Sequence, residues 1–245
     1  MKCLILGSGT ILQKDYRKNC SGYLIDHRLL MDCGPGIWQA AGRAGLKPAD
    51  LNFILLTHLH LDHVSDLFPL LLARFLSLYD LRTEMWICGP AGLREWFHSI
   101  ARVSGTWIEE LNIRLTEITG PISLDRYKIA SAATGHTENS LCYRISGPED
   151  KVLFYSGDSD YNQVLIEQAY HADVCILEAS NTAETKVEGH LTPALAGKVA
   201  RDANVGHLVL THMYPEVEEI DAVRAAGEFF KGTISLARDG TILEF

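Results

Sequence analysis

No stretch of the 245-residue chain approaches the ~18–20 uninterrupted apolar residues of a membrane span. The nearest run, 67–72, contains Pro69 and soon meets Arg74. The opening Met1-Lys2-Cys3-Leu4-Ile5-Leu6-Gly7 enters a strand pattern at once, and its apolar part is too short for a secretory signal. No membrane partner is expected, and the expected location is cytoplasmic. Cysteine pairing by pattern is also lacking. Cys3, Cys20, Cys33, Cys88, Cys142 and Cys175 include no C-x-x-C spacing, and several sit in strand-like runs, as buried reduced thiols would. A basic excess is missing too. The net charge of −9 gives no general attraction to nucleic acid or anionic lipid, and leaves only a local basic mouth for such a ligand. Linker-like composition is absent. With 47% hydrophobic and 22% charged residues, the chain reads as a single globular domain over 1–245.

What is present is concentrated. Thr57-His58-Leu59-His60-Leu61-Asp62-His63 places three imidazoles and a carboxylate directly after the apolar run Leu51-Asn52-Phe53-Ile54-Leu55-Leu56. Imidazole nitrogens and carboxylate oxygens are the donors that hold zinc and similar divalent ions, so this reads as a metal site at a strand end. Three later residues follow strand-like runs in turn-like settings: His136 in Thr134-Gly135-His136-Thr137, Asp158 in Ser156-Gly157-Asp158-Ser159, and His212 at the end of Leu208-Val209-Leu210-Thr211-His212. All three are candidate ligands, and Asp158 could bridge two ions. Asp32, in Asp32-Cys33-Gly34, is read either as a partner accepting a hydrogen bond from a ligating imidazole or as a turn-stabilising residue. Cys33 is read as a small buried residue. His27, His98, His171 and His207 have no partner ligand at useful spacing, and His171 is read as ending a helix.

Strand-like and helical patterns alternate, as in a layered α/β domain. Helices are expected over 37–44, 64–78, 91–103, 162–170, 193–203 and 217–230. Strands are expected at 2–6, 21–25, 29–31, 53–56, 85–88, 113–117, 128–132, 141–144, 152–155, 174–177, 208–210, 234–236 and 241–243. The stretch from Leu67 to Leu76 is apolar nearly all round, which fits either a fully covered core helix or packing on a second copy as a homodimer.

Over nearly its whole length the chain resembles the metallo-β-lactamase superfamily, and within it the ribonuclease Z-like phosphodiesterase branch. The resemblance is carried by Leu6-Gly7-Ser8-Gly9-Thr10, Leu30-Met31-Asp32-Cys33-Gly34-Pro35-Gly36, the His-x-His-x-Asp-His run, the lone His136 and Gly157-Asp158-Ser159. It continues through Leu177-Glu178-Ala179-Ser180, Gly189-His190-Leu191-Thr192 and Leu210-Thr211-His212. It implies a four-layer αβ/βα sandwich with the metals at one edge. It also implies one ion on His58, His60 and His136, a second on Asp62, His63 and His212, and Asp158 between them. Zinc is the default, with manganese or iron as alternatives. Two such ions can hold a bridging hydroxide as nucleophile, and Asp62 could accept or orient its proton. The branch's Glu-Ala-Ser/Thr and His-Leu-Thr elements match Glu178 and His190, implying a carboxylate-supported histidine as general acid toward the leaving oxygen.

In this branch the enzymes that act on transfer RNA carry an extended arm between the ligands matching His136 and Asp158. Here those residues are 22 positions apart, and a hairpin from Leu141 to Tyr155 with its turn at Gly147-Pro148-Glu149-Asp150 fills the interval. The expected substrate is therefore a small or cyclic phosphodiester or a short nucleic acid. A lactone or thioester hydrolase and a transfer RNA 3′-processing endoribonuclease are the alternatives. A non-catalytic scaffold is disfavoured because all seven ligand positions are filled.

Overall fold

The computed structural model describes residues 1–14, 16–77 and 83–245. The strands in chain order are β1 (Lys2–Gly7), β2 (Gly22–Ile25), β3 (Leu29–Met31), β4 (Phe53–Leu55), β5 (Met85–Gly89), β6 (Ile113–Glu117) and β7 (Ile122–Leu124). They continue as β8 (Tyr127–Ala133), β9 (Leu141–Ser146), β10 (Val152–Tyr155), β11 (Val174–Glu178), β12 (His207–Thr211), β13 (Thr233–Leu236) and β14 (Ile242–Glu244). The helices are α1 (Ile37–Arg43), α2 (Leu61–Val64), α3 (Leu67–Leu76), α4 (Leu93–Ser104), α5 (Gln163–Ala169), α6 (Pro193–Asp202) and α7 (Glu219–Phe229).

Two seven-stranded sheets form, ordered β14-β1-β2-β3-β4-β5-β6 and β13-β12-β11-β10-β9-β8-β7. Each begins with antiparallel pairs and becomes parallel toward one edge, from β3 to β6 in the first and from β10 to β13 in the second. The inner parallel strands are largely apolar on both faces, since helices cover one side and the other sheet covers the opposite side, whereas the edge strands β6 and β13 are only partly buried. β11 is buried at all five positions. Three apolar layers result: α1, α3 and α4 against the first sheet, α5, α6 and α7 against the second, and a layer rich in Tyr23, Tyr127, Tyr143 and Tyr155 between the sheets. This is the expected four-layer sandwich.

Local chemistry sets the helix starts. Asn162 and Thr192 accept from the backbone N–H of Leu165 and Leu195, capping α5 and α6, and Pro193 occupies the first turn of α6. Gly197 on α6 lets α7 approach closely, because a Cβ there would sit 2.4 Å from the Ala226 carbonyl oxygen.

Three expectations need correction. The helix expected over 64–78 is two helices, α2 and α3, and Leu78 lies outside the described residues. The break falls at Ser65-Asp66, where the Asp66 N–H donates to Cys33 O, and the Asp66 carboxylate accepts from the Trp38 N–H. As a result Asp62 and His63 ride on a helical turn, not on a strand end. β7 was not expected; it pairs with β8 through the tight turn at Asp125-Arg126, where Asp125 has φ +52°. His171 lies beyond the end of α5, in a left-handed conformation beside Asn204, so it does not end that helix. Arg74, which interrupts the apolar run, is itself buried and donates to the carbonyls of Pro48, Leu51 and Thr83. Leu76, by contrast, leaves 64% of its surface exposed on α3, so the helix is not fully covered.

Candidate metal centre and active site

The chain delivers its donors at strand ends, most of them those of parallel strands, the usual position of ligand sites in such sheets, while His136 follows the antiparallel β8. The first sheet supplies His58 and His60 after β4, then Asp62 and His63 on α2. The second supplies His136 after β8, Asp158 after β10, Glu178 at the end of β11 and His212 after β12. The residues expected at the site meet where the two sheets face each other, and they form two groups. His58, His60, His136 and Asp158 place donor atoms within 4.8 Å of one another, and so do Asp62, His63 and His212.

In the first group, His60 Nδ1 lies 3.1 Å from both His58 Nε2 and His136 Nε2, and Asp158 Oδ2 lies 3.8 Å and 3.7 Å from those two nitrogens. In the second, Asp62 Oδ2 is 3.9 Å from His63 Nε2 and 3.4 Å from His212 Nε2. Asp158 Oδ1 is 3.3 Å and 3.5 Å from the same nitrogens. The carboxylate of Asp158 thus turns one oxygen toward each group.

These separations suit a shared cation. Donors about 2.0–2.2 Å from a tetrahedral ion stand roughly 3.3–3.6 Å apart. Two further observations fit. Among the described residues, His63 Nε2 and Asp158 Oδ1 are buried without a hydrogen-bond partner, a costly arrangement unless something else satisfies them. Moreover, four of the imidazoles have Nδ1 held by an oxygen, which aims Nε2 into the cluster: His58 by Thr57 Oγ1 (3.0 Å), His63 by Asp32 Oδ2 (2.8 Å), His136 by the Gly189 carbonyl (3.1 Å) and His212 by Ser180 Oγ (3.1 Å). Burial and neighbouring imidazoles keep His58 well below its ordinary pKa, and burial brings His136 down to about 4. Both are neutral, lone-pair donors at physiological pH. Burial alone would also lower His63 and His212, but the surrounding carboxylates together outweigh it and raise both, Asp158 and Asp32 for His63 and Asp158, Asp62 and Glu178 for His212. A cation there would therefore displace protons. Asp62 is held far below the carboxylate range: burial opposes ionisation, yet His212 and His63 overcome it.

Asp32 is the partner residue of the two readings offered above. It is fully buried at φ +55°, and its carboxylate accepts from the Thr57 N–H (2.8 Å), Thr57 Oγ1 (2.9 Å), Tyr155 Oη (2.7 Å) and His63 Nδ1. Thr57, Tyr155 and Ser180 were not singled out by sequence reasoning. The signal for Thr57 was its place before His58, in a Thr-His pair repeated at Thr211-His212.

Beside the clusters stands a carboxylate–imidazole pair. His190 Nδ1 is 3.0 Å from Glu178 Oε1, and its ring centroid lies 4.5 Å from that of His136 and 6.4 Å from that of His212. Glu178 is buried and also accepts from the Ser159 N–H (2.7 Å) and from Ser180 Oγ. Burial works against a charged His190, but the Glu178 hydrogen bond and charge reverse this and raise its pKa. The ring of Tyr214 stands nearly perpendicular to both His190 and His212.

Comparison with known proteins agrees with this architecture. Residues 27–213 match the family model of the beta-lactamase superfamily domain. A probable metallo-hydrolase, YhfI of Bacillus subtilis, is 28% identical, with 91% of this chain and 92% of that protein covered. The crystal structure of YhfI superposes over 100% of this chain and 98% of its own with a TM-score of 0.87. A ribonuclease Z of Mycobacterium sp. (strain KMS) is 26% identical, covering 87% of this chain and 84% of that protein. A diphosphatase from the PhnP family shares the fold with a TM-score of 0.80 at 18% identity, over 100% of this chain and 97% of that one.

Proposed function

The chain belongs to the beta-lactamase superfamily of metallo-hydrolases, and from that premise we propose that it is a phosphodiesterase acting on a small or cyclic phosphodiester or a short nucleic acid. His58, His60, His136 and Asp158 Oδ2 would hold one divalent ion, and Asp62, His63, His212 and Asp158 Oδ1 a second, with zinc the first choice for this nitrogen and oxygen set. Bound in pairs, such ions acidify water and neutralise the charge on phosphoryl oxygens.

The observation that carries the reading is the Glu178–His190 pair at the margin of the clusters. Cleaving a diester expels an alkoxide, which needs a proton. Glu178 holds Nδ1 and favours the imidazolium, leaving the Nε2 proton of His190 to be given to the departing oxygen. Hydrolysis of a lactone or thioester has less use for this pair. Asp62 stays anionic beside His212 and orients the attacking water as a hydrogen-bond acceptor. Long structured RNA is disfavoured: the interval between His136 and Asp158 is taken up by β9, a short turn and β10, and the net charge is −9.

The test is the rate of p-nitrophenol release from bis(p-nitrophenyl) phosphate by zinc- or manganese-loaded protein. Asp158→Ala should abolish it, and His190→Ala should cut kcat toward diesters with basic leaving groups by about 10²–10⁴-fold. No turnover by protein shown to contain two metals would overturn the reading and point to carbonyl substrates.

A further inference from the structure

The turn after β10 grips three different parts of the site with three consecutive residues. Asp158 stands between the two donor groups, the Ser159 N–H donates to Glu178 Oε1, and Asp160 reaches across to the segment that carries His190. Asp160 Oδ2 accepts from the Gly189 N–H at 2.8 Å and from Lys186 Nζ at 2.9 Å, while Oδ1 accepts from the Tyr161 N–H at 2.7 Å. The Asp160 N–H is tied to Thr134 O, two residues before His136.

Gly189 is where this contact gains leverage. Its φ is +87°, and a Cβ there would lie 3.2–3.3 Å from His136, so the segment lies flat against that imidazole. Its carbonyl accepts from His136 Nδ1, and the next residue is His190. The segment between Asn181 and Leu191 contains no regular element of its own, and 183–188 are exposed, whereas Gly189 itself is buried. Few apolar contacts hold it, so its position depends on a small number of polar ties.

We infer that Asp160 is a positioning residue: by clamping the Gly189 amide it fixes the reach of His190 to the leaving oxygen. The inference rests on the phosphodiesterase reading above. Asp160 belongs to neither donor group. Its loss would therefore be felt most where protonation of the leaving group limits the rate.

The test compares methyl phenyl phosphate, whose leaving phenoxide is strongly basic, with methyl p-nitrophenyl phosphate, whose leaving group needs little protonation. Wild type, His190→Ala, Asp160→Ala and Asp160→Asn are assayed on both. Asp160→Ala should slow the phenyl ester about 10-fold more than the nitrophenyl ester, in the same sense as His190→Ala. Asp160→Asn, whose amide oxygen still accepts from Gly189, should recover most of that difference. In metal-free protein, exchange of the Gly189 amide hydrogen should accelerate about 10-fold or more in Asp160→Ala, independently of turnover. If His190→Ala steepens the leaving-group dependence while Asp160→Ala does not, the inference fails and the acid assignment stands. If His190→Ala leaves the dependence flat, the acid assignment itself fails. Unchanged Gly189 exchange, or an Asn variant no better than Ala, would also overturn the clamp.

Discussion

Replacing Asp32 with Asn changes one oxygen into an amide and leaves the shape almost intact, so its consequences follow from hydrogen-bond direction alone. The carboxylate is ringed by donors: Oδ1 faces the Thr57 backbone N–H, and Oδ2 faces Tyr155 Oη and His63 Nδ1. If the new NH₂ takes the Oδ1 place, it confronts a backbone amide that can only donate, leaving buried donors unsatisfied at about 1–3 kcal/mol. If it takes the Oδ2 place, His63 must accept through Nδ1 and carry its proton on Nε2, the atom that faces Asp62 and Asp158. That tautomer cannot bind a cation there. Either way the metal-free protein should lose about 1–3 kcal/mol in urea unfolding. Where the amide settles at Oδ2, zinc affinity measured by chelator competition should fall about 10–100-fold. Affinity within threefold of wild type in a variant whose amide nitrogen occupies the Oδ2 place would refute the tautomer argument. Unchanged stability would refute the account of the buried carboxylate.

Other outcomes follow from the same coordinates. Gly157→Ala should destabilise by about 2–4 kcal/mol in urea unfolding: φ is +56°, and a Cβ would lie 2.7 Å from Thr57 Cβ, combining left-handed strain with overpacking. Stripping metal with a chelator should lower the Tm, and restoring zinc at 100 times its Kd should return about 2.7 kcal/mol; an unmoved Tm would argue against a cation at the clusters. Burial pushes Cys3, Cys20, Cys88 and Cys142 from 9.0 to about 12, so iodoacetamide should label them in urea but scarcely in the folded protein at pH 8. The unfolded thiols ionise from about pH 9 while the folded ones keep their protons. Stability should therefore decline as pH rises above 9, which urea midpoints at pH 8 and 10 would reveal.

The nitrogen and oxygen donors stood out in the sequence because a metal site needs several strong ligands, and His or Asp after an apolar run has few other uses. The sheets were legible for a similar reason: strands covered on both faces, such as Val174–Glu178, must be nearly continuous in apolar residues. The division between α2 and α3 was not legible. It depends on the Asp66 N–H finding Cys33 O, a partner 33 positions away that helical periodicity does not register. The supporting hydroxyls were hidden likewise. Tyr155 in an apolar strand looks like any core aromatic until β3 and β10 bring it against Asp32 from 123 positions away. Asp160 is a polar turn residue like many others, and only the fold brings Gly189 to it.

The centre draws His58, His60, Asp62 and His63 from one sheet's edge and His136, Asp158, Glu178 and His212 from the other's, with little but a tyrosine-rich layer between the halves. Neither half owns a complete site. A cation held there would work as a rivet through two plates, and a change that lets the plates slide, even one as modest as altered packing of Tyr23 on Tyr155, would reach the chemistry by spoiling the alignment of the holes.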